Sequence, residues 1–108
     1  MGRARKAGAT PARSAQRLEA LRKANEIRVG RAQLKKELAT RAVRIEEILA
    51  RPPDFAKTER VSVLLLAVPK YGSVRVSRLL TRARISDSKK LGGLSDRQRA
   101  ELIAHFRS

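Results

Sequence analysis

The sequence lacks cysteine and has no long hydrophobic run. Without cysteine, the chain can form neither disulfides nor metal sites built on thiolates. Its longest apolar run, residues 63–68, contains six residues, whereas a helix that spans a membrane needs about 20. Residues 1–22 are basic and rich in alanine, without the apolar centre of a signal peptide. We therefore expect a cytoplasmic protein that has no membrane partner.

Groups suited to catalysis are also few. His105 is the only histidine, and a lone histidine in a C-terminal helix usually has a structural or solvated role. Glu46 and Glu47 are adjacent, so a helix would point them to different faces and they would not form a simple acid/base pair. No glycine-rich phosphate loop ending in Lys-Ser or Lys-Thr is present. We expect neither an enzyme nor a metal or cofactor site.

Positive charge is abundant. The 108 residues include 26 Lys plus Arg against 10 Asp plus Glu, which gives a formal net charge of +16. Such a surplus repels itself in the folded state and points to an anionic partner, such as a nucleic acid, an anionic membrane surface or an acidic protein. The length allows one compact domain with a terminal arm.

The first half of the chain is predicted to be a basic arm followed by helix. Residues 1–14 contain no acid and little to bury, which predicts a disordered basic arm. Residues 15–51 are rich in strong helix formers and end before Pro52 and Pro53, which predicts one long helix or a long and a short one. Gly30 is a candidate kink, and Thr40 is a candidate N-cap for a second helix over residues 44–49.

Residues 57–108 carry three further helical patterns. Apolar residues at positions 61, 64, 65 and 68 form one stripe on a helix that Pro69 ends, and a second stripe lies at positions 76, 79, 80 and 83. In the turn between them, Gly72 is predicted to supply a positive φ and Ser73 to be the N-cap of the next helix.

The last helical pattern follows a loop with two glycines, which we expect to let the backbone approach a ligand closely. Ser95 and Gln98 have the spacing of a capping box, and an apolar stripe continues to Phe106. No segment has a convincing strand pattern. We therefore predict an all-α fold, a long N-terminal helix followed by a compact C-terminal domain, with the helix over residues 44–49 completing the core.

The pattern most informative about function is a stretch without acids. Residues 60–86 contain no Asp or Glu. The cations inside this window are Arg60, Lys70, Arg75, Arg78, Arg82 and Arg84. Cations at a helix N-terminus are unfavourable, because that end already carries partial positive charge. A phosphate would remove this conflict by accepting from the amides of Gly72, Ser73 and Val74 while pairing with Lys70 and Arg75.

A simpler interpretation stays open for both basic regions. The turn can be an ordinary connection between helices with its arginines on a solvated face, and Lys89 and Lys90 can belong to an ordinary exposed loop. The charge surplus and the missing acids favour the phosphate site over this interpretation for the turn.

Several segments of the sequence resemble a known family. Residues 61–75 (VSVLLLAVPKYGSVR), residues 89–99 (KKLGGLSDRQR) and Phe106 closely resemble the actinobacterial-type integration host factors, and residues 18–49, including RAQLKK at 31–36, resemble them more weakly. The resemblance implies a helix-two-turn-helix module, binding to duplex DNA with little sequence preference, and bending or compaction of the duplex. A site-specific recombinase acting on the same DNA is the further partner that it suggests.

The resemblance also implies two DNA-contacting surfaces. The first, here named the turn surface, comprises Lys70, Tyr71, Gly72, Ser73, Val74, Arg75 and Arg78, with Ser73 at a position where relatives often have lysine. The second, the loop surface, comprises Ser88, Lys89, Lys90, Gly92 and Arg97. Relatives have an Arg-Arg-x-Arg pattern at residues 89–92, so Gly92 loses one cation of that contact and the lysines replace bidentate groups by point charges.

Three other functions compete with DNA binding. A small-subunit ribosomal protein has a related module, but near its N-terminus and followed by a basic tail, the reverse of the order here; binding to duplex RNA nevertheless stays open, because phosphate contacts do not distinguish the sugar. DNA glycosylases also use the module, but they need a separate catalytic domain. A coiled-coil role for residues 18–49 is disfavoured because the heptads break at Asn25 and Gly30. We expect a monomer.

Overall fold

The first helix is long and largely free of the rest of the protein. The computed structural model describes the backbone of residues 11–107 and the side chains of residues 14–107. Helix α1 spans Pro11–Ala39, four residues earlier than the predicted start at Ala15, so residues 11–14 are helical rather than part of an arm. The remainder of the predicted arm, residues 1–10, lies outside the described residues.

The two halves of α1 differ in burial. Every residue from 14 to 29 is exposed, including Leu18 and Leu21, whereas Leu34 and Leu38 are buried in the core. This difference agrees with the sequence, whose apolar stripe is broken and whose upstream part is too polar to be buried. Only the last part of α1 therefore contributes to the folded domain.

A short turn follows α1, and its capping differs from the prediction. Arg41 adopts a left-handed φ of 66°, and the Ala42 amide donates to Glu37 O at 2.9 Å, closing the end of the helix. Thr40 is not an N-cap, because its hydroxyl donates back to Glu37 O at 3.3 Å. The residue that precedes helix α2, Ile45–Ala50, is Arg44, which makes no side-chain cap hydrogen bond.

Gly30 does not break α1 but makes room for a neighbour. The helix is continuous through this residue, and the ring of Phe55 lies against it so closely that an added Cβ would be 2.9 Å from Phe55 Cδ1. Arg31 fixes the same contact by donating from Nε to Phe55 O at 3.0 Å and by lying 3.2 Å from Glu59 Oε1. These contacts dock α1 onto the short 3-10 helix at Asp54–Ala56 and the segment after it.

The compact region contains three more helices: α3 at Val61–Leu66, α4 at Ser73–Arg82 and α5 at Asp96–Arg107, with a second 3-10 turn at Leu91–Gly93 before α5. Helix α2 packs on α5, and α3 packs on α4. Most residues of the predicted stripes are buried, but Val68, Ile103 and Phe106 are only partly buried, and Val68 lies beyond the end of α3. The best-buried large residues of the core are Leu49, Leu64, Leu65, Leu80, Leu91, Leu102 and Val61. The expectation that the helix after α1 completes the core is confirmed, since Ile45, Ile48 and Leu49 are all buried.

The capping box at the start of α5 is confirmed in both directions. The Gln98 amide donates to Ser95 Oγ at 3.1 Å, and the Ser95 amide donates to Gln98 Oε1 at 3.0 Å. Residues 11–107 contain no strand, apart from one isolated antiparallel bridge between Arg60 and Lys90. The predicted all-α class is therefore correct. Within the same range, no helix combines the length and the apolar content that crossing a bilayer requires.

Candidate nucleic-acid interface

The turn between α3 and α4 has a different geometry from the predicted one. Lys70, and not Gly72, adopts the left-handed conformation, with φ 72° against −85° for the glycine. Ser73 is the first residue of α4 rather than its N-cap; the N-cap is Gly72, which has no side chain to offer. Helix α3 ends at Leu66, earlier than the predicted end at Pro69, and the Tyr71 amide donates to Val68 O at 3.1 Å in the turn that follows.

The start of α4 presents backbone donors to solvent. The first helical hydrogen bond at this end runs from the Val76 amide to Gly72 O at 3.0 Å, so the amides of residues 73–75 have no carbonyl partner within the helix. Residues 72–75 are all exposed, and Val74 is 64% exposed. Since no other part of the described chain covers this end, an anion can approach the amides directly.

The Arg75 side chain is held close to these amides. Its guanidinium carbon lies 4.2 Å from the centroid of the Tyr71 ring, and its Nη1 donates to Lys70 O at 3.3 Å. The Tyr71 ring in turn packs against Phe106, with centroids 5.0 Å apart, and its hydroxyl lies 2.9 Å from His105 Nε2. The turn surface thus packs against α5 through Tyr71, and the Arg75 guanidinium is preorganised before any ligand binds.

His105 is neutral more readily than an ordinary histidine. Burial lowers its pKa below the usual value of 6.5, and the positive charges of Arg82 and Arg75 lower the pKa further. A neutral ring can accept from the Tyr71 hydroxyl or donate to it, depending on the tautomer. The histidine that the sequence assigned to a structural or solvated role therefore joins the turn to α5.

The cations of the turn surface have no carboxylate partner. Ion pairs involve the side chains of Arg22, Arg31, Lys35, Lys57, Arg97 and Arg99. Lys70, Arg75 and Arg78 form none within residues 14–107, and all three are exposed. Their charge is consequently available to an external anion.

The loop surface is built differently, because the amides beside its glycine already have partners within the chain. The amides of Leu91 and Gly92 donate to Glu59 O and Lys57 O, each at 2.9 Å, and the Val61 amide donates to Lys89 O at 3.0 Å. The glycine that we expected to let a ligand approach instead lets the chain approach itself, since a Cβ on Gly92 would lie 3.1 Å from Lys57 Cβ. The amides of Leu91 and Gly92 are therefore not available to a ligand.

Arg97 is the one member of the loop surface whose charge is neutralised. Its Nη1 lies 2.6 Å from Glu101 Oε1, one helical turn along α5. Lys89 and Lys90 have no ion pair in the described chain, and Ser88 is exposed, with its hydroxyl 3.5 Å from Ser86 Oγ. The loop surface therefore offers two lysines rather than three cations.

Two cations that the sequence analysis did not select lie beside the turn surface. Arg41 and Arg44, from the turn between α1 and α2, line one cleft together with Lys70, Tyr71 and Arg75. The only sign of them in the sequence is that residues 38–45 contain no acid. Arg41 and Arg44 lie near Lys70 because α2 packs against α5, and a pattern of neighbouring residues in the sequence does not reveal this packing.

The sequence and fold are similar to those of known proteins. Residues 38–106 match the family model for an S13-like H2TH domain. This match starts before residue 57, where the sequence analysis began its C-terminal domain, and the division into domains stays a prediction. The solved structure of sIHF bound to an 8bp palindromic DNA superposes with a TM-score of 0.73 and 31% identity, covering 79% of this chain and 98% of that one.

Curated relatives cover nearly the same length. The integration host factor of Mycolicibacterium smegmatis is 37% identical over 93 residues, which is 84% of this chain and 89% of the relative. That of Mycobacterium tuberculosis is 37% identical over 95 residues, or 86% and 90%. That of Streptomyces coelicolor is 34% identical over 95 residues, or 86% and 89%. The resemblance found in the sequence is confirmed, and the chain belongs to the integration host factor family.

Proposed function

We propose that this protein is a nucleoid-associated protein that binds double-stranded DNA through its phosphates, with little sequence preference. The observation that carries the proposal is the turn surface, where exposed cations without carboxylate partners surround the free amides at the start of α4. Phosphate oxygens are the ligands that such a combination of amides and cations favours. Contacts of this kind position a protein on a duplex and carry no sequence information directly.

The relatives support duplex DNA as the ligand. One member of the family with this fold, sIHF, has been solved bound to an 8bp palindromic DNA. The present chain has the same overall fold over 79% of its length. Arg75 is held against Lys70 O and the Tyr71 ring, which favours a contact with the backbone over one with a base edge.

The direct test compares ligands in one gel-shift series. The full chain is titrated with duplex DNA, duplex RNA and single strands of matched length, at several salt concentrations. If about six phosphates are neutralised, the slope of log K against log salt on duplex DNA should be about −5. Unrelated duplex sequences should bind with similar affinity. The Lys70→Ala/Arg75→Ala variant should weaken binding to all of them by similar factors.

Other outcomes would contradict the proposal in distinct ways. Binding to duplex DNA that does not depend on salt would exclude a phosphate grip. A loss confined to one sequence in the Lys70→Ala/Arg75→Ala variant would indicate base readout. Tighter binding to duplex RNA than to duplex DNA would favour the ribosomal type of H2TH protein over a nucleoid protein.

Five further features belong to the same proposal. We propose that the protein acts as a monomer, which light scattering at binding concentrations would test, and that it bends the duplex, which a circularisation assay would test. We also propose a role in the cytoplasmic nucleoid, with a site-specific recombinase sharing the DNA, and no catalysis. Undeflected duplex, or strand cleavage by the pure protein, would remove the corresponding feature.

A further inference from the structure

A cationic cleft runs between the turn after α1 and the turn after α3. Its volume is about 580 Å³. Its charged lining residues are Arg41, Arg44, Glu46, Lys70 and Arg75, and Tyr71 and Phe106 are among the remaining ones. The cleft therefore continues the turn surface toward residues that neither the sequence analysis nor the proposed function includes.

The four cations of the cleft are unneutralised. None of Arg41, Arg44, Lys70 and Arg75 forms an ion pair in the part of the chain that the structure describes. Glu46 is the one acid among the lining residues, and it too has no ion pair there. Elsewhere in the protein, cations near a carboxylate do pair with it, as Arg97 does with Glu101 at 2.6 Å. Charges gathered without such compensation are best explained by an external anion.

The two edges of the cleft share an unusual backbone conformation. Arg41 and Lys70 have φ values of 66° and 72°, in the left-handed region that favours glycine. Arg41 lies where the end of a helix commonly has glycine, yet it is an exposed arginine. Side chains held in this conformation cluster at binding sites, where the surrounding structure maintains the strain. Both edges of the cleft thus have a cation at a position where glycine would be less strained.

We infer that Arg41 and Arg44 bind a backbone phosphate of the same DNA strand that the turn surface holds, so that the cleft grips the strand from two sides. The inference rests on the proposed function. It extends the contact from the α3–α4 turn to the α1–α2 turn. The exposed guanidinium groups of Arg41 and Arg44 would each pair with phosphate oxygens, as arginine does with phosphates generally.

The test measures the salt dependence of duplex binding in single-charge variants. Arg41→Gln, Arg44→Gln and the double variant are compared with wild type. Arg51→Gln is the matched control, since Arg51 is exposed, follows the other end of α2 and does not line the cleft. Each cleft variant should lower affinity about eightfold at 0.1 M salt and reduce the slope by about 0.9, and the double variant should reduce it by about 1.8. Arg51→Gln should stay within about twofold of wild type.

Two more variants separate binding from folding. Arg41→Gly relieves the left-handed backbone, so it should melt no lower than wild type and still lose the same affinity as Arg41→Gln. Glu46→Gln removes the negative charge from the cleft and should strengthen binding, the opposite sign from the arginine variants.

The outcomes distinguish this inference from the proposed function. If wild type binds duplex DNA and Lys70→Ala weakens it, but the Arg41 and Arg44 variants match Arg51→Gln, the cleft is not a phosphate site and the proposed function stands. If wild type shows no salt-dependent binding to duplex DNA, both are wrong. Loss of affinity in Arg41→Gln that Arg41→Gly restores would show a folding effect and overturn the inference.

Discussion

The turn surface and the loop surface look alike in the sequence and differ in the structure. Both combine cations with glycine next to the start of a helical turn. At the turn surface the amides of residues 73–75 are free and Arg75 is held in place. At the loop surface the amides of Leu91 and Gly92 are used within the chain, and Arg97 is paired with Glu101. At the turn surface, three consecutive free amides at a helix N-terminus therefore lie beside cations that have no ion pair.

This difference teaches that counting cations does not rank candidate phosphate sites. Two properties decide how strongly a surface binds a phosphate: whether its charges already have a carboxylate partner, and whether backbone amides are available beside them. A lysine without amide neighbours holds a phosphate as a flexible point charge. We therefore expect the two surfaces to contribute unequally to DNA binding.

The largest expected effect comes from removing two cations at each surface in turn. Lys70→Ala/Arg75→Ala should lower affinity for duplex DNA about 60-fold at 0.1 M salt and reduce the salt slope by about 1.8. Lys89→Ala/Lys90→Ala should lower it about eightfold, with a slope change near 0.9, because lysines bind phosphate as flexible point charges and these two should neutralise about one phosphate between them. Fluorescence anisotropy at several salt concentrations measures both.

The same net charge is removed in the two double variants, so each serves as the control for the other. Thermal unfolding should show that both remain folded, since none of the four side chains belongs to the buried core. Equal losses of affinity would break the comparison, and a larger loss from the loop variant would reverse it.

A smaller effect is expected from the Arg97–Glu101 pair. Glu101→Gln should free Arg97 and raise affinity up to about eightfold, with a steeper salt slope, because one more cation can then release a counterion. Arg97→Gln should change affinity less than about twofold, since the charge it removes is already neutralised. If Arg97→Gln weakens binding as strongly as a turn variant, the phosphate displaces Glu101 and the pair is no obstacle.

The sequence predicted what depends on local periodicity. The apolar stripes of α3 and α4, the capping box of Ser95 and Gln98, and the ends of helices near proline are confirmed, because each is determined by residues within about one turn of each other. The exposure of Arg75 and Arg78 was also predictable, since they lie outside the buried stripe of α4.

What the sequence did not predict depends on contacts between distant residues. Gly30 was interpreted as a kink because Phe55, which is 25 residues away, cannot be placed beside it without the fold. The cleft contribution of Arg41 and Arg44 depends on α2 packing against α5. The turn geometry was wrong because Gly72 was assumed to need its freedom, whereas Lys70 adopts the left-handed conformation.

The Gly30–Phe55 contact allows a test of what holds the loop surface. The loop is bonded to Lys57 O and Glu59 O, and α1 docks on that segment through Phe55 and Arg31. In an open helix, Gly30→Ala would raise the free energy of unfolding by up to about 1 kcal/mol. Here the new Cβ would lie 2.9 Å from the Phe55 ring, so the gain should be absent.

A double-mutant cycle isolates this contact. In a Phe55→Ala background the ring is gone, and Gly30→Ala should then raise the free energy of unfolding by the full helix-propensity gain of up to about 1 kcal/mol. Gly30→Ala alone should weaken DNA binding only through the loop surface, so it should add nothing to Lys89→Ala/Lys90→Ala. A gain in stability of the same size in both backgrounds would show that Phe55 does not restrict this position.

The smallest expected effect concerns pH and the way the turn surface is fastened to α5. The pKa of His105 is lowered by burial and by Arg82 and Arg75, so the unfolded chain takes up a proton near pH 6.5 more readily than the folded one. The contribution of His105 to the free energy of unfolding should therefore be constant above pH 6.5. It should fall as the pH is lowered from 6.5 through the pKa of His105 in the folded protein. His105→Gln should remove this dependence, as urea unfolding at several pH values would show.

DNA binding should raise the lowered pKa of His105. The size of this effect should depend on the turn surface and not on the loop surface. Phosphates beside Arg75 would offset the positive charges of Arg82 and Arg75, which together with burial lower the pKa of His105. The Tyr71 hydroxyl oxygen lies 2.9 Å from His105 Nε2 and can accept a hydrogen bond from it when the ring is protonated. The affinity of wild type for duplex DNA, divided by that of His105→Gln, should consequently rise as the pH falls below 6.5. This rise should be as large in the Lys89→Ala/Lys90→Ala variant and smaller in Arg75→Ala. An equal pH effect in the Arg75→Ala variant would show that His105 senses the DNA as a whole rather than the phosphate at the turn surface.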